Sequence, residues 1–319
     1  MNQLEKYSLG KQLKPKGTIQ NIGIVGGGTV GQQVVLLVAQ YGMDVVFLDV
    51  SEEKIKEIFA DLELKLDEII KHWGITASEK RLILSRITGT TKYEDFKDSD
   101  IVIETISSRQ RGTMVEVRKE IFKSIEAVVR KTTVIASNLS TLMISDLAEA
   151  LKYKERATGV HFIEPIDKTR IVEVMRSVET SDKTVELISR FLKMINKRAI
   201  VIHESPGNIS TRILLPVLNE ACEVLMEGVA SVQDIDDTMK EIMGYNVGPF
   251  ELADRIGLDK ILKFMDNLYA EFGDKKYKAS PIIKRLVRAN YLGKRTGKGF
   301  YNYEGTKPVS NTITCAIIK

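Results

Sequence analysis

A histidine closing one apolar run and a glutamate inside the next are the residues of this sequence best suited to moving a proton. The histidine is His161, in ATGVHF (157–162), and the glutamate is Glu173, in RIVEVM (170–175). Both runs read as strands, being short and rich in β-branched residues. If the two lie side by side, the carboxylate favours the charged imidazole and orients the ring. General acid–base work on a hydroxyl–carbonyl pair needs that arrangement. A satisfied structural histidine is the plainer alternative, and spacing alone leaves both open. His72 and His203 read as structural or surface residues.

A second constellation lies near the start, in NIGIVGGGTVGQQ. Gly26, Gly28 and Gly31 form a G-x-G-x-x-G pattern between a strand-like run and a helix-like run. Glycines there let the backbone turn tightly and approach a pyrophosphate, the N-terminus of the following helix offers free N–H groups to the anion, and Thr29 and Val30 are taken with the glycines as cofactor-binding residues. Asp49 ends the next strand, eighteen residues after Gly31. A carboxylate at that point accepts hydrogen bonds from a ribose 2′-OH and repels a 2′-phosphate. The expected cofactor is therefore NAD rather than NADP. The competing reading is a structural turn with a surface aspartate.

These residues need a frame, and the first half of the chain supplies one by alternating strands with helices. IQNIGIVG (19–26), DVVFLDV (44–50), DIVIETI (100–106) and TTVIAS (132–137) read as strands, as does RAIVIHE (198–204). VVLLVAQYG (34–42) reads as a helix closed by Gly42. Residues 51–74 carry an apolar stripe of Ile55, Phe59, Leu62, Leu66, Ile69 and Trp73, with Ser51 as N-cap and Gly74 as stop. Further helices are expected at 77–85, 113–129 and 181–196. Such alternation argues a doubly wound parallel sheet covered on both faces, an α/β fold. After SPG (205–207) the periodicity turns helical to about 290, so an all-helical C-terminal domain is expected. The expected organisation is an arm at 1–18, a Rossmann-like domain at 19–204 with a helical hairpin at 51–85, and a helical domain at 205–319.

Bulk composition narrows the function classes. The chain has 319 residues, 43% of them hydrophobic and 28% charged, with net charge +4. Its lysines are scattered through amphipathic helices rather than gathered on one face, which argues against nucleic acid as a partner. The two cysteines, Cys222 and Cys315, suggest neither a disulfide framework nor a metal cluster. No apolar run approaches the ~18 residues of a membrane span. The opening MNQLEKYSLGKQLKPKG lacks the apolar core of a signal peptide. A cytoplasmic protein without membrane contact is expected.

From about residue 20 to 304 the chain resembles the L-3-hydroxyacyl-CoA dehydrogenases, including the bacterial 3-hydroxybutyryl-CoA dehydrogenases. Besides the glycine loop, the resemblance is carried in order by SNLSTLMIS (137–145), GVHFIEP (159–165), IVEV (171–174), PGNISTRILLPVLNEA (206–221), GPFELADRIGLD (248–259) and GKRTGKGFYNY (293–303). It implies NAD-dependent oxidation of a 3-hydroxyacyl-CoA in fatty acid metabolism. It also implies a homodimer formed through the helical domain, and a hairpin at 51–85 that helps hold CoA. By the same resemblance His161 is the catalytic acid/base, Glu173 its paired carboxylate and Ser137 the hydrogen-bond donor to the substrate oxygen. Glu104 lines the cofactor site, Asp49 takes the adenosine ribose, and Arg295 stands where the family has a lysine near the cofactor. Lys54, Lys56, Lys65 and Lys71 read either as ligands of CoA phosphates, with Lys65 taken as a substrate residue, or as ordinary lysines of a surface helix.

The departures gather near the expected site. Glu164 replaces an asparagine of the family and brings a negative charge toward the nicotinamide or the substrate, or turns outward to Lys168 or Arg170. Thr211 replaces an asparagine that orients the substrate. Asn208, three residues earlier, is expected to share its helix face and take over part of that role. The loop SSRQRGTM is longer than usual, and its Arg109 and Arg111 read either as anion ligands, Arg109 toward a cofactor phosphate, or as a solvated surface. Gln32 and Gln33 stand where the family has small residues, so packing of that helix is altered. Two alternatives follow: a dehydrogenase of a free or charged 3-hydroxy acid, comparable to the carnitine or gulonate dehydrogenases, or an NAD(H)-binding relative without turnover.

Overall fold

The computed structural model describes residues 19–72, 74–106, 114–305 and 307–312. The arm at 1–18, Trp73, Arg109, Arg111 and Cys315 lie outside the described residues. The chain divides into two compact units, the first running to Glu204 and the second taking over at Ser205.

The first unit is built on strands β1 (Asn21–Val25), β2 (Asp44–Leu48), β3 (Ile87–Thr90), β4 (Ile101–Glu104), β5 (Val134–Asn138), β6 (Ala157–Phe162), β7 (Ile171–Arg176) and β8 (Arg198–His203). They form one sheet in the order β3-β2-β1-β4-β5-β6-β7-β8. The first six strands share the order of the dinucleotide-binding fold. Apolar residues of α1 (Thr29–Gln40), α2 (Glu52–Lys71) and α6 (Asp182–Met194) pack one face of the sheet. Those of α4 (Val115–Val128) and α5 (Ile144–Ala148) pack the other. The expectation of a sheet covered on both sides is met.

One strand corrects the expectation of a parallel sheet. β7 runs antiparallel to β6, and β8 then pairs parallel with β7. Only residues 163–170 join β6 to β7, too few for the crossover a parallel pair requires. β3 was not among the expected strands, because its ITGT run is four residues long with a glycine inside. The first helix starts at Thr29, ahead of the apolar run at 34, since the glycine loop itself opens it. Ser51 caps α2 by accepting from the Lys54 N–H, as expected. The helix ends at Lys71, short of Gly74, whose N–H donates back to Ile69. α3 (Ala77–Leu84) follows, closed at its start by a Thr76–Glu79 capping box.

The second unit contains α7 (Ser210–Met226), α8 (Val232–Met243), α9 (Pro249–Ile256), α10 (Leu258–Phe272) and α11 (Pro281–Arg288) around a core that includes Leu218, Cys222, Phe250, Met265 and Phe300. It is helical as expected, with one addition to the all-helical reading: an antiparallel pair, β9 (Tyr301–Glu304) and β10 (Lys307–Asn311). Two buried carboxylates tie this pair to the helices. Asp254 accepts from the Phe300 N–H (2.9 Å), the Tyr301 N–H (3.0 Å) and the Tyr303 hydroxyl (3.0 Å). Asp236 accepts from the Phe250 and Glu251 N–H groups at the start of α9 and from the Tyr301 hydroxyl. A β-carbon on Gly299 would lie 2.0 Å from Asp254 Oδ1, so the GKGFYNY run needs glycine at that point. Among the described residues no helix is long and apolar enough to cross a membrane.

Candidate active site

The register of the sheet brings four polar side chains to one face. Glu104 lies opposite Ser137, Ser137 opposite Gly159, and His161, two residues beyond Gly159, opposite Glu173. Side chains of paired residues, and of residues two apart on one strand, share a face. Glu104, Ser137 and His161 stand at the carboxyl ends of β4, β5 and β6, where ligands of doubly wound sheets bind. The antiparallel turn of β7 is what places Glu173 beside the histidine. His161 Nδ1 and Glu173 Oε2 are 2.8 Å apart, and both residues are buried. Asn138, ending β5, accepts from the Phe162 N–H at 3.1 Å and steadies the end of the histidine strand.

Sequence reasoning missed a residue of this row. Arg118 on α4 is buried, and its Nη1 donates to Glu104 Oε2 (2.6 Å) and to Ser137 Oγ (2.7 Å). Its Nη2 donates to the Ile106 carbonyl at 2.7 Å. Ser137 donates to the same Glu104 oxygen, and Glu104 Oε1 accepts from the Ile106 N–H at 2.5 Å. Burial pushes the Glu104 carboxyl above its ordinary range, while the Arg118 charge and these hydrogen bonds pull it back. A signal was present: Arg118 falls on the same helical face as the buried Phe122 and Ile125. A charge on an apolar face marks a paired, buried group.

The glycine loop has the shape a dinucleotide needs. Gly26 sits at φ +99°, which favours glycine, and a β-carbon on Gly31 would lie 1.9 Å from the Gly26 carbonyl oxygen. Thr29 and Val30 open α1, whose N-cap, Gly28, places no side chain over the first-turn N–H groups. Asp49, just past β2, accepts from the Gly27 N–H (2.7 Å) and the Val50 N–H (2.8 Å). The carboxylate expected to meet a ribose therefore also braces the loop expected to meet the phosphates.

Several expected residues take partners that spacing did not suggest. Gln33 donates to Glu164 at 3.4 Å and accepts from the Ile166 N–H at 3.1 Å, so Glu164 engages α1. The Glu164–Pro165 peptide is cis. The buried Lys197 ammonium donates to the carbonyls of Ile166 and Thr169, holding the far side of the same loop. Lys65 donates to Gln32, whose amide donates to the Gly27 carbonyl (3.1 Å) and to Asp61 (3.2 Å). Half-burial lowers the pKa of Lys65. In the second unit, Asn208 and Thr211 are both buried, but the helix-face argument for them is corrected. Asn208 lies at φ +50°, ahead of the first residue of α7, and its N–H donates to the Ser205 carbonyl in a turn. Arg295 pairs with Asp259 at 2.9 Å and is half exposed.

Comparison with known proteins gives this arrangement its family. The sequence model of the 3-hydroxyacyl-CoA dehydrogenase NAD binding domain matches residues 21–205, and that of the 3-hydroxyacyl-CoA dehydrogenase C-terminal domain matches residues 207–303. The chain belongs to the 3-hydroxyacyl-CoA dehydrogenase family. This dehydrogenase is 36% identical over 282 residues to a 3-hydroxybutyryl-CoA dehydrogenase of Clostridioides difficile, covering 88% of this chain and 99% of that one. It is 37% identical over 291 residues to the 3-hydroxybutyryl-CoA dehydrogenase of Bradyrhizobium diazoefficiens, covering 91% and 98%. Among solved structures, an (S)-3-hydroxybutyryl-CoA dehydrogenase from Ralstonia eutropha matches with TM-score 0.81 and 38% identity, over 90% of this dehydrogenase and 100% of that chain. The NAD-binding match and the shape of the glycine loop agree, and NAD is the cofactor.

Proposed function

We propose that this dehydrogenase interconverts a short-chain 3-hydroxyacyl-CoA and the 3-oxoacyl-CoA, with His161 as the acid/base. The observation that carries the reading is the buried His161–Glu173 pair at 2.8 Å, two residues along the sheet from the level of Ser137. The names of the relatives at 36–37% identity support the acyl-CoA substrate. NAD, when bound, supplies the acceptor for the hydride leaving C3. His161 takes the hydroxyl proton on the oxidative path and returns it on the reductive one. With Nδ1 engaged by Glu173, that exchange falls to Nε2. Glu173 balances the imidazolium charge, while Ser137, expected as donor to the substrate oxygen, is fully buried and gives its hydroxyl proton to Glu104, so that role would require the bond to be released. Asn208, Thr211 and Lys65 are proposed as substrate contacts, and Glu104, Glu164, Arg109 and Arg295 as cofactor-site residues. Exposed Ile213, Ile242, Met243 and Phe272 on the second unit support a homodimer formed through the helices. A cytoplasmic location and a role in fatty acid metabolism fit the bacterial relatives.

The test is the loss of NADH absorbance on adding acetoacetyl-CoA, beside acetoacetate and charged 3-oxo acids without CoA. Turnover with the thioester alone supports the proposal. NADH binding with turnover only of CoA-free acids sinks it and supports the second reading, which the Glu164 carboxylate in the loop after β6 favours. The bracing role of Asp49 yields a separate expectation. Asp49→Ala removes both the ribose acceptor and the Gly27 hydrogen bond, so NADH affinity falls about tenfold or more. Preference for NADH over NADPH narrows, because the repulsion of a 2′-phosphate is gone. Fluorescence titration with both cofactors checks this; an unchanged ratio removes Asp49 from ribose recognition.

A further inference from the structure

Three consecutive glycines, Gly26 to Gly28, have no side chains to set the direction of their peptides, so groups outside the loop must set it. The Gly27 N–H is held by Asp49 at 2.7 Å. The Gly27 carbonyl is held by Gln32, whose Nε2 donates to it at 3.1 Å. Gln32 is buried in the first turn of α1, and its own N–H donates to the Gly28 carbonyl at 2.9 Å. One residue therefore takes two successive carbonyls of the loop. Its amide can sit only one way round. The Lys65 ammonium of α2 can only donate, and it meets Oε1. The Asp61 carboxylate can only accept, and it meets Nε2 at 3.2 Å. Nε2 is thereby committed to acceptors, of which the Gly27 carbonyl is one. The same helix presses on the loop directly: a β-carbon on Gly27 would lie 2.2 Å from Ile58 Cδ1.

A trans peptide points its C=O and its N–H in opposite directions. The Gly27 carbonyl and the Gly28 N–H belong to one such peptide. Turning the carbonyl in toward Gln32 turns that N–H out, from a buried residue to an exposed one. Among the described residues the Gly28 N–H meets no protein acceptor. We propose that Gln32, held by Lys65 and Asp61, is the positioning residue that aims the Gly28 N–H at the pyrophosphate of NAD. Without it the buried Gly27 carbonyl has no donor, which is unfavourable. The peptide then turns to seek water, since glycines on both sides permit the rotation, and the Gly28 N–H leaves its line. Lys65 thus serves the cofactor loop through the amide, apart from its proposed contact with substrate. The helical hairpin becomes part of the cofactor site.

The experiment uses the full-length protein and follows displacement of NADH fluorescence by two ligands: ADP-ribose, which carries the pyrophosphate, and adenosine, which does not. Gln32→Met keeps the length of the side chain and removes the amide. It is expected to weaken ADP-ribose about fivefold to tenfold, the usual worth of one hydrogen bond. Adenosine binding stays within about twofold of wild type, because the ribose and adenine contacts do not depend on the Gly28 N–H. In turnover the loss falls on KM for NADH rather than on kcat. Lys65→Met weakens ADP-ribose about threefold in the wild-type background and has little further effect beside Gln32→Met, since the group it acts through is gone. Gln32→Ala, with a strong helix former in place, carries the test if the methionine variant does not fold. Equal losses for the two ligands, or undiminished ADP-ribose binding, overturn the proposal and leave Gln32 a packing residue. A Lys65→Met loss that persists in full beside Gln32→Met overturns the relay and makes Lys65 a charge acting on the cofactor directly.

Discussion

Replacing His161 with alanine lowers kcat by about 10²–10⁴-fold while NADH still binds. That range is the usual contribution of a positioned acid/base. The histidine is held by Glu173 at 2.8 Å and sits at the end of β6, away from the glycine loop at the ends of β1 and α1. Removing it therefore takes away proton transfer and leaves the dinucleotide-binding elements in place. Steady-state turnover of acetoacetyl-CoA with NADH, beside a fluorescence titration of NADH, measures the two separately. Glu173→Gln is the finer companion. The amide oxygen can still accept from Nδ1, so the ring keeps its orientation, but the balancing charge is lost. The expected fall in kcat is about tenfold to a hundredfold, with KM little changed, because the charge acts only once the imidazolium forms. An alanine variant with wild-type turnover takes His161 off the proton path altogether.

The largest effect on stability is expected at Asp254. Its carboxylate accepts from three donors that bind β9 and the segment before it to the helices. In Asp254→Asn the amide must turn an NH2 group toward the Phe300 N–H or toward the Tyr301 N–H and the Tyr303 hydroxyl. Donor then meets donor in a buried place, which costs about 2–3 kcal/mol. Burial pushes the Asp254 carboxyl up to about 7. The folded pKa is thus above the unfolded one. Its contribution is fully present below the unfolded pKa of ~3.9 and is lost as pH rises through about 7. Between pH ~6 and ~8 this group removes roughly 1 kcal/mol from the stability of the second unit. Denaturant unfolding at both pH values checks the prediction. The wild type should lose more on going to the higher pH than Asp254→Asn, which carries no titrating group there. Parallel pH dependences in the two proteins would contradict the assignment.

Legibility divides at the range over which the chain must be read. The strand at 157–162, the Ser51 cap and the glycine loop were visible because each depends on neighbours within a few positions. β3 was hidden, because a four-residue run with a central glycine carries too little pattern to announce a strand. Asn208 misled for the opposite reason. Its spacing from Thr211 suits a helix face, but the helix has not begun there and the residue turns left-handed. Gln32 and Gln33 looked like a packing change. They are ties, one to Lys65 and the glycine loop, the other to Glu164 and Ile166.

By itself the sequence determined the fold class and the cofactor, since periodicity, turn chemistry and ordered family motifs are written along the chain. Only the tertiary structure decided which groups act together. The reversal of β7 sets Glu173 opposite His161. The packing of α4 buries Arg118 against Glu104 and Ser137. The closure of the tail around Asp254 and Asp236 joins residues 46 to 65 positions apart. Each depends on the direction and burial of elements distant in sequence, which local residue patterns do not encode.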